Sequence, residues 1–236
     1  MEVIPAIDLR GGRCVRLLQG DYARETQFSD DPVAVARRWE QAGAPRLHIV
    51  DLDGAREGGP RNLEIVADIA RAVAVPLQLG GGIRSLALAE KALAAGVQRV
   101  VIGTVAALEA SLAEEMIRAF GDRLIITLDT RSGLVAVRGW QEATHLKAVE
   151  LARRLEVVGA RRFIFTDIRR DGMLSGPNVD ALRRLRRAVS VPVIASGGIA
   201  SLHHLRKIAD AGAEGAIVGR ALYVGELNLE EAVHAC

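Results

Sequence analysis

Short apolar runs alternate along this chain with longer stretches whose apolar positions recur three and four residues apart. That is the pattern of buried strands, each followed by a helix packed on one face. The runs lie at Glu2–Leu9, at Leu47–Asp51, from Val75 towards Gly80, before Gly103, at Leu124–Leu128, from Phe163, at Val191–Ala195 and at Gly215–Val218. Helical periodicity covers Val33–Ala42, Asn62–Val73, Leu108–Phe120, Ala148–Val158, Asn178–Val189 and Leu229–Ala235, with a short stretch at Ala221–Val224. Two more helical stretches follow the glycine turns described next. Asp30 and Asp31 before Pro32 supply a helix start, and Gly43 supplies its stop. Eight strands, each followed by a helical segment, is the count that closes a (βα)8 barrel.

The pattern is written twice. Val75/Val191, Pro76/Pro192, Gly81/Gly197, Gly82/Gly198, Ile83/Ile199, Gly96/Gly212 and Gly103/Gly219 share one offset without a gap. Asp8 at the end of the first strand has a counterpart in Asp129 at the end of the fifth. Asp51 and Asp167 follow strands two and six, and Pro60 and Pro177 close the loops after them. The expected architecture is α/β, a single (βα)8 TIM barrel over residues 1–236 built from two repeated (βα)4 halves, about 1–120 and 121–236. Two segments break the rhythm. Arg13–Asp31 is polar and without clear period, and Thr130–Ala143 carries Gly139-Trp140. Both read as long loops that cover the barrel mouth.

Bulk properties narrow the function classes. Half of the 236 residues are apolar, no low-complexity run interrupts them, and the net charge of +2 is too small to argue for nucleic acid. The arginines fall mostly beside acids on helix faces, as Arg183, Arg184, Arg186 and Arg187 do after Asp180. Cys14 and Cys236 are far apart and lack metal-ligand spacing, so free thiols in a reducing compartment are expected. Without a leader or a membrane-length apolar run, the expectation is a cytoplasmic protein with no membrane and no nucleic-acid partner. A monomer is expected.

In a (βα)8 barrel the working groups lie at the C-terminal ends of the strands. Strands one and five face each other across the ring, so Asp8 and Asp129 are expected on opposite sides of the mouth. A cap or an ion pair to Arg10 or Arg13 is the blander role open to Asp8. The glycine turns at Gly81-Gly82 and Gly197-Gly198, each with a later glycine at Gly103 or Gly219, are expected to cradle anions with bare backbone N–H groups. Read singly, each is also a helix-packing turn. Arg84 and Arg220 follow glycine turns and can clamp phosphate. Trp140 offers either a stacking face or a rim plug. His48 reads as a core histidine within strand two. No Ser/His/Asp or Cys/His spacing suggests a nucleophile, so two aspartates facing one mouth point to acid–base chemistry. A long substrate with a phosphate at each end fits that layout.

The residues Ile4-Pro5-Ala6-Ile7-Asp8-Leu9, Gln19-Gly20-Asp21-Tyr22, Leu47-His48-Ile49-Val50-Asp51, Gly80-Gly81-Gly82-Ile83-Arg84, Gly139-Trp140, Thr166-Asp167, Arg170-Asp171-Gly172, Ser196-Gly197-Gly198-Ile199 and Gly219-Arg220-Ala221-Leu222 resemble the (βα)8 isomerases of histidine biosynthesis. The likeness covers essentially the whole chain. It implies an Amadori rearrangement of an aminoaldose to an aminoketose, with no metal and no cofactor, on a small-molecule bisphosphate. It also implies that Asp8 is the general base at C2′ and Asp129 the general acid that opens the ribose, with Thr166 and Asp171 in support. The implied substrate and phosphate contacts are Gln19, Gly20, His48, Gly81, Gly82, Arg84, Gly103, Thr104, Trp140, Gly172, Ser196, Gly197, Gly198, Gly219 and Arg220. The sister cyclase of the pathway is the nearest rival. Its first strand runs Pro-Cys-Leu-Asp, where this one runs Pro5-Ala6-Ile7-Asp8. An isomerase that also accepts phosphoribosyl anthranilate is a second rival, and a barrel that only binds a phosphorylated metabolite is a third.

Overall fold

A computed structural model describes all 236 residues. β1 (Glu2–Arg10) runs into a hairpin of β2 (Arg13–Leu18) and β3 (Asp21–Ser29). After these come α1 (Pro32–Gln41), β4 (Leu47–Asp51), α2 (Leu52–Glu57), α3 (Leu63–Ala72), β5 (Leu77–Gly80), α4 (Leu86–Ala94), β6 (Arg99–Ile102), α5 (Thr104–Leu108) and α6 (Ala110–Phe120). The second half opens the same way, with β7 (Leu124–Arg131) and a hairpin of β8 (Leu134–Val137) and β9 (Glu142–Lys147). It continues through α7 (Ala148–Val157), β10 (Phe163–Asp167), α8 (Val179–Ala188), β11 (Val193–Ser196), α9 (Leu202–Asp210), β12 (Gly215–Val218), α10 (Arg220–Tyr223) and α11 (Leu229–His234). Parallel pairing runs β1, β4, β5, β6, β7, β10, β11, β12 and back to β1, which closes the eight-stranded barrel. No helix is long and apolar enough to cross a membrane.

Strand parity decides what faces the barrel axis. Ile4, Ala6, Val101, Ile125, Ile164, Ile194 and Ile217 form one small apolar cluster inside the barrel. Val3, Ile7 and Leu9 of β1, and Leu124, Ile126 and Leu128 of β7, belong to the larger shell between barrel and helices. Two-residue alternation therefore turns Asp8 inward with Ala6, and Asp129 inward with Ile125 and Thr127. Because both faces of most strands are largely apolar, the strands read as near-continuous runs.

The twofold repeat extends to side-chain anchors. Glu40 Oε1 accepts from the backbone N–H groups of Ala74 and Val75, and Glu156 Oε1 accepts from those of Ser190 and Val191. Each ties the end of one helix to the chain entering the next strand but one. Asp51 is fully buried and accepts from Asn62 Nδ2 at 2.7 Å; Asp167 accepts from Asn178 Nδ2 at 2.7 Å. These two acids organise the loops after strands two and six.

Several boundaries differ from the sequence expectation. Arg13–Asp31 is a β-hairpin and not an irregular loop: β2 pairs antiparallel to β1 with Asp8 opposite Val15, and buries Cys14, Val15 and Leu17. Its period was hidden because both of its faces are covered. Thr130–Ala143 likewise continues β7 to Arg131 and turns into the β8–β9 hairpin. The loop after strand two begins with α2, capped by Asp51, which accepts from Gly54 N–H at 2.8 Å. The helix expected at Leu108–Phe120 is broken at Glu109, whose φ of −127° lies outside the helical range, so α5 and α6 are separate.

Candidate active site

The C-terminal ends of the barrel strands surround a cavity of about 190 Å³. Asp8, His48, Asp129, Thr166 and Asp171 line it, together with Gly81, Gly82, Arg84, Gly103, Thr104, Gly20, Trp140 and Ser196. A small adjoining cavity is lined by Gly172, Gly197, Gly198, Gly219 and Arg220, and shares Arg16, Asp171, Ser196 and Ile217 with the first. Gln19 lines neither. Its side-chain amide donates to the carbonyl of Arg169 at 2.7 Å and its backbone N–H to that of Asp171, which stitches the first hairpin to the loop after β10.

β1 and β7 stand four strands apart in the ring of eight, so Asp8 and Asp129 approach the cavity from opposite walls. Burial pushes the Asp8 carboxyl up to about 6; the guanidinium of Arg16 opposes that rise and the Asp171 carboxylate adds to it. Arg16 Nη1 lies 2.9 Å from Asp8 Oδ2, and Nη2 lies 3.8 Å from Asp171 Oδ1. Burial raises Asp171 as well, with Arg16 pulling down and Asp129 pushing up. Asp129 is raised by burial against the pull of Trp140, Thr127 and Thr166, and Thr127 Oγ1 donates to it at 2.7 Å. His48 is held down to about 3 by burial and by Arg16, so its imidazole is neutral.

Arg16 is the charged residue of the cavity wall that the sequence reading missed. Cys14, Val15 and Leu17 around it are buried, and an arginine inside such a run is costly without a partner. That isolated charge was the available signal. It went unread because the segment lacked a visible period.

The two glycine turns match in conformation: φ is +103° at Gly81 and +93° at Gly197, then +78° at Gly82 and +82° at Gly198. A methyl group on Gly81 would meet the carbonyl oxygen of Asp51, and one on Gly197 would stand 2.8 Å from that of Asp167. Packing against the anchor strands therefore already demands glycine here, besides any exposure of backbone N–H groups. The arginines beside the turns are tied back to neighbouring loops. Arg84 Nη2 donates to the Ala55 carbonyl at 3.1 Å, and Arg220 Nη1 to that of Gly172 at 2.6 Å.

The two hairpins meet over the cavity. The indole of Trp140 lies on Gly20, leaving no room for a side chain there: a Cβ would stand 2.5 Å from Cε3. Tyr22 Oη donates to the Leu52 carbonyl at 2.8 Å, anchoring the first hairpin to the loop after β4. Thr104 Oγ1 accepts from the Arg138 N–H at 2.9 Å, anchoring the second.

Residues 2–228 match the family model described as "Histidine biosynthesis protein". Three relatives bear the name 1-(5-phosphoribosyl)-5-((5-phosphoribosylamino)methylideneamino)imidazole-4-carboxamide isomerase. The protein from Dehalococcoides mccartyi strain 195 is 55% identical over 232 residues, covering 98% of each chain. That from Roseiflexus sp. strain RS-1 is 52% identical over 235 residues, covering 100% of this chain and 99% of its own. That from Chloroflexus aurantiacus is 54% identical over 233 residues, covering 99% and 97%.

Proposed function

The chain belongs to the histidine biosynthesis protein family, and from that premise we propose that it is an aldose–ketose isomerase acting on the bis-phosphoribosyl imidazole carboxamide of its relatives' name. Asp129 donates a proton to the ribose ring oxygen as the C1′–O bond breaks and the amino nitrogen forms a Schiff base with C1′. Asp8 then removes the C2′ proton, and the electron pair of that C–H bond forms the C1′–C2′ double bond of an enolamine as the π pair of the C1′–N double bond moves onto the nitrogen. Protonation at C1′ and loss of the C2′ hydroxyl proton give the aminoketose. Thr166 and Asp171 orient the sugar.

One observation carries this reading: a buried carboxylate, Asp8, and a half-buried one, Asp129, face one cavity from opposite walls, flanked by the paired glycine turns. With its carboxyl at about 6, Asp8 is mostly ionised at neutral pH and still basic enough to take a proton. The upward shift of Asp129 suits a group that holds a proton until the ring opens. Two phosphoribosyl groups in the substrate match two glycine cradles, with Gly81, Gly82, Gly103 and Thr104 at one end and Gly197, Gly198, Gly219 and Arg220 at the other.

Steady-state turnover of the aminoaldose, without added metal or cofactor, is the test. Asp8→Asn and Asp129→Asn are each expected to lower kcat by roughly 10²- to 10⁴-fold with little change in KM. Unchanged turnover in either variant removes that residue's assigned role. Running phosphoribosyl anthranilate in parallel separates a single-substrate isomerase from one that accepts both.

A further inference from the structure

Gln78 is fully buried inside the barrel, on β5 and level with His48 of β4 in the parallel register. A buried primary amide is costly unless its polar atoms are paired. Here only one end is engaged: Gln78 Nε2 stands 3.0 Å from His48 Nδ1, and Oε1 has no partner. His48 lines the large cavity, whereas Gln78 lies behind it and does not. An amide so placed does nothing for the wall that an apolar side chain would not do better, except act on the imidazole in front of it.

The direction of that action follows from the atoms. An amide N–H at Nδ1 needs a lone pair there, which puts the imidazole proton on Nε2. Turning the amide round would place Oε1 on Nδ1 and leave both amide hydrogens unmet in a dry site. Orphaned N–H groups are rarer in folded proteins than under-satisfied carbonyl oxygens, so the observed orientation is preferred. Arg16, the charged group acting on His48, disfavours a second proton on the ring.

We propose that Gln78 is a positioning residue that locks His48 as its neutral Nε2–H tautomer, so that His48 offers the substrate sugar a hydrogen-bond donor and never a base. The substrate half of this assignment rests on the isomerase reading above. The chemistry gains a division of labour. Proton transfer is confined to the two aspartates, and an imidazole beside the enolamine holds a sugar oxygen without competing for protons.

The test is the nitrogen-15 spectrum of His48 in the full-length protein, assigned with His48→Gln. Long-range nitrogen–proton correlations are expected to show Nδ1 unprotonated and Nε2 protonated, with no titration between pH 5 and 8. Gln78→Glu replaces the donor with a carboxylate acceptor. In that variant the proton is expected to move to Nδ1, His48 to begin titrating in the same range, and KM for the aminoaldose to rise roughly two- to tenfold, the worth of one neutral hydrogen bond. A protonated Nδ1 in the wild-type protein overturns the proposal, as does a Gln78→Glu variant that keeps the wild-type tautomer while the carboxyl carbon shift of the introduced side chain shows an ionised carboxylate. If Gln78→Glu does not fold, the wild-type spectrum alone decides. The tautomer is read without substrate, so an inactive protein with the Nε2–H form overturns the isomerase reading and leaves the pairing of Gln78 with His48 standing.

Discussion

Replacing Arg16 with methionine removes the cation nearest to Asp8 and keeps most of the volume. Both side chains are about a tenth exposed, at 10% and 11%, and the ion pair measures 2.9 Å, so solvent screening is weak. At an effective dielectric of 20, a unit pair near 4 Å is worth about 4 kcal/mol, or about 3 pKa units at 1.36 kcal/mol each. Opposite charges at this range move carboxylates by about 1 to 3 units. The acid limb of kcat/KM, which reports the free enzyme, is expected near 6 in the parent protein. In Arg16→Met it should shift to between roughly 7 and 9. Activity at pH 7 falls about 2- to 100-fold over that range and returns as the pH is raised. Asp171→Asn gives the opposite displacement, because the Asp171 charge pushes Asp8 upward. The linkage to stability has a definite sign. Asp8 is raised above its ordinary value of 3.8, so its contribution is fully present below pH 3.8 and is lost as the pH rises through about 6. Losing Arg16 extends that loss to higher pH. A pH–rate profile for Arg16→Met with its acid limb still near 6, at any overall activity, refutes the reasoning.

Three further outcomes follow from the packing. Asp51 accepts four hydrogen bonds, from Gly54 N, Arg61 N, Asn62 N and Asn62 Nδ2, whereas Asp167 accepts two, from Arg169 N and Asn178 Nδ2. Asp51→Ala should therefore cost about 3–5 kcal/mol in urea denaturation and Asp167→Ala roughly half as much; equal losses would contradict this account. Gly43→Ala should cost only about 1 kcal/mol, since its φ is +84° but nothing lies near the added methyl. Gly81→Ala, with φ of +103° and a collision with the Asp51 carbonyl, should cost about 3 kcal/mol or more. Cys14 is buried, its thiol pushed up to about 12 chiefly by burial, while Cys236 is exposed. A thiol reagent should count one group in native protein and two in denaturant, and two fast groups without denaturant would show that β2 opens readily.

The barrel was legible because its signals are local and repeated. Strand runs, glycine turns and helix starts each recur at a fixed spacing, and parity then turned Asp8 and Asp129 towards the axis. The hairpins were not legible. β2 and β8 are covered on both sides, so neither shows an alternating face, and β3 and β9 are largely exposed and polar. Arg16 was lost with them, although it touches both Asp8 and Asp171. Gln19 is a different case. Its place in a motif suggests substrate contact, and its amide here donates to the Arg169 carbonyl across the mouth, a link that no local pattern foretells. Glu40 and Glu156 also went unread, since a glutamate on a helix looks like part of a solvated face until its backbone partners are known.

The repeat also explains how two identical side chains come to differ. Asp8 and Asp129 occupy equivalent places, and the strand registers extend the match. Arg10 pairs with Arg13 and Leu9 with Cys14 in one half, as Arg131 pairs with Leu134 and Thr130 with Val135 in the other. Carried along that register, Arg16 corresponds to Val137, and Ala6 corresponds to Thr127. Asp8 thus has a guanidinium beside it and an apolar methyl below, whereas Asp129 has an apolar side chain beside it and a hydroxyl donor below. A cation stabilises the ionised form at long range, which suits a group that must start as a base. A site without a paired cation leaves burial to favour the protonated form, which suits a group that must start as an acid. On the proposed assignment, these two differences between the halves contribute to setting a repeated carboxylate to two opposite functions, together with Asp171 beside Asp8 and Trp140 and Thr166 beside Asp129.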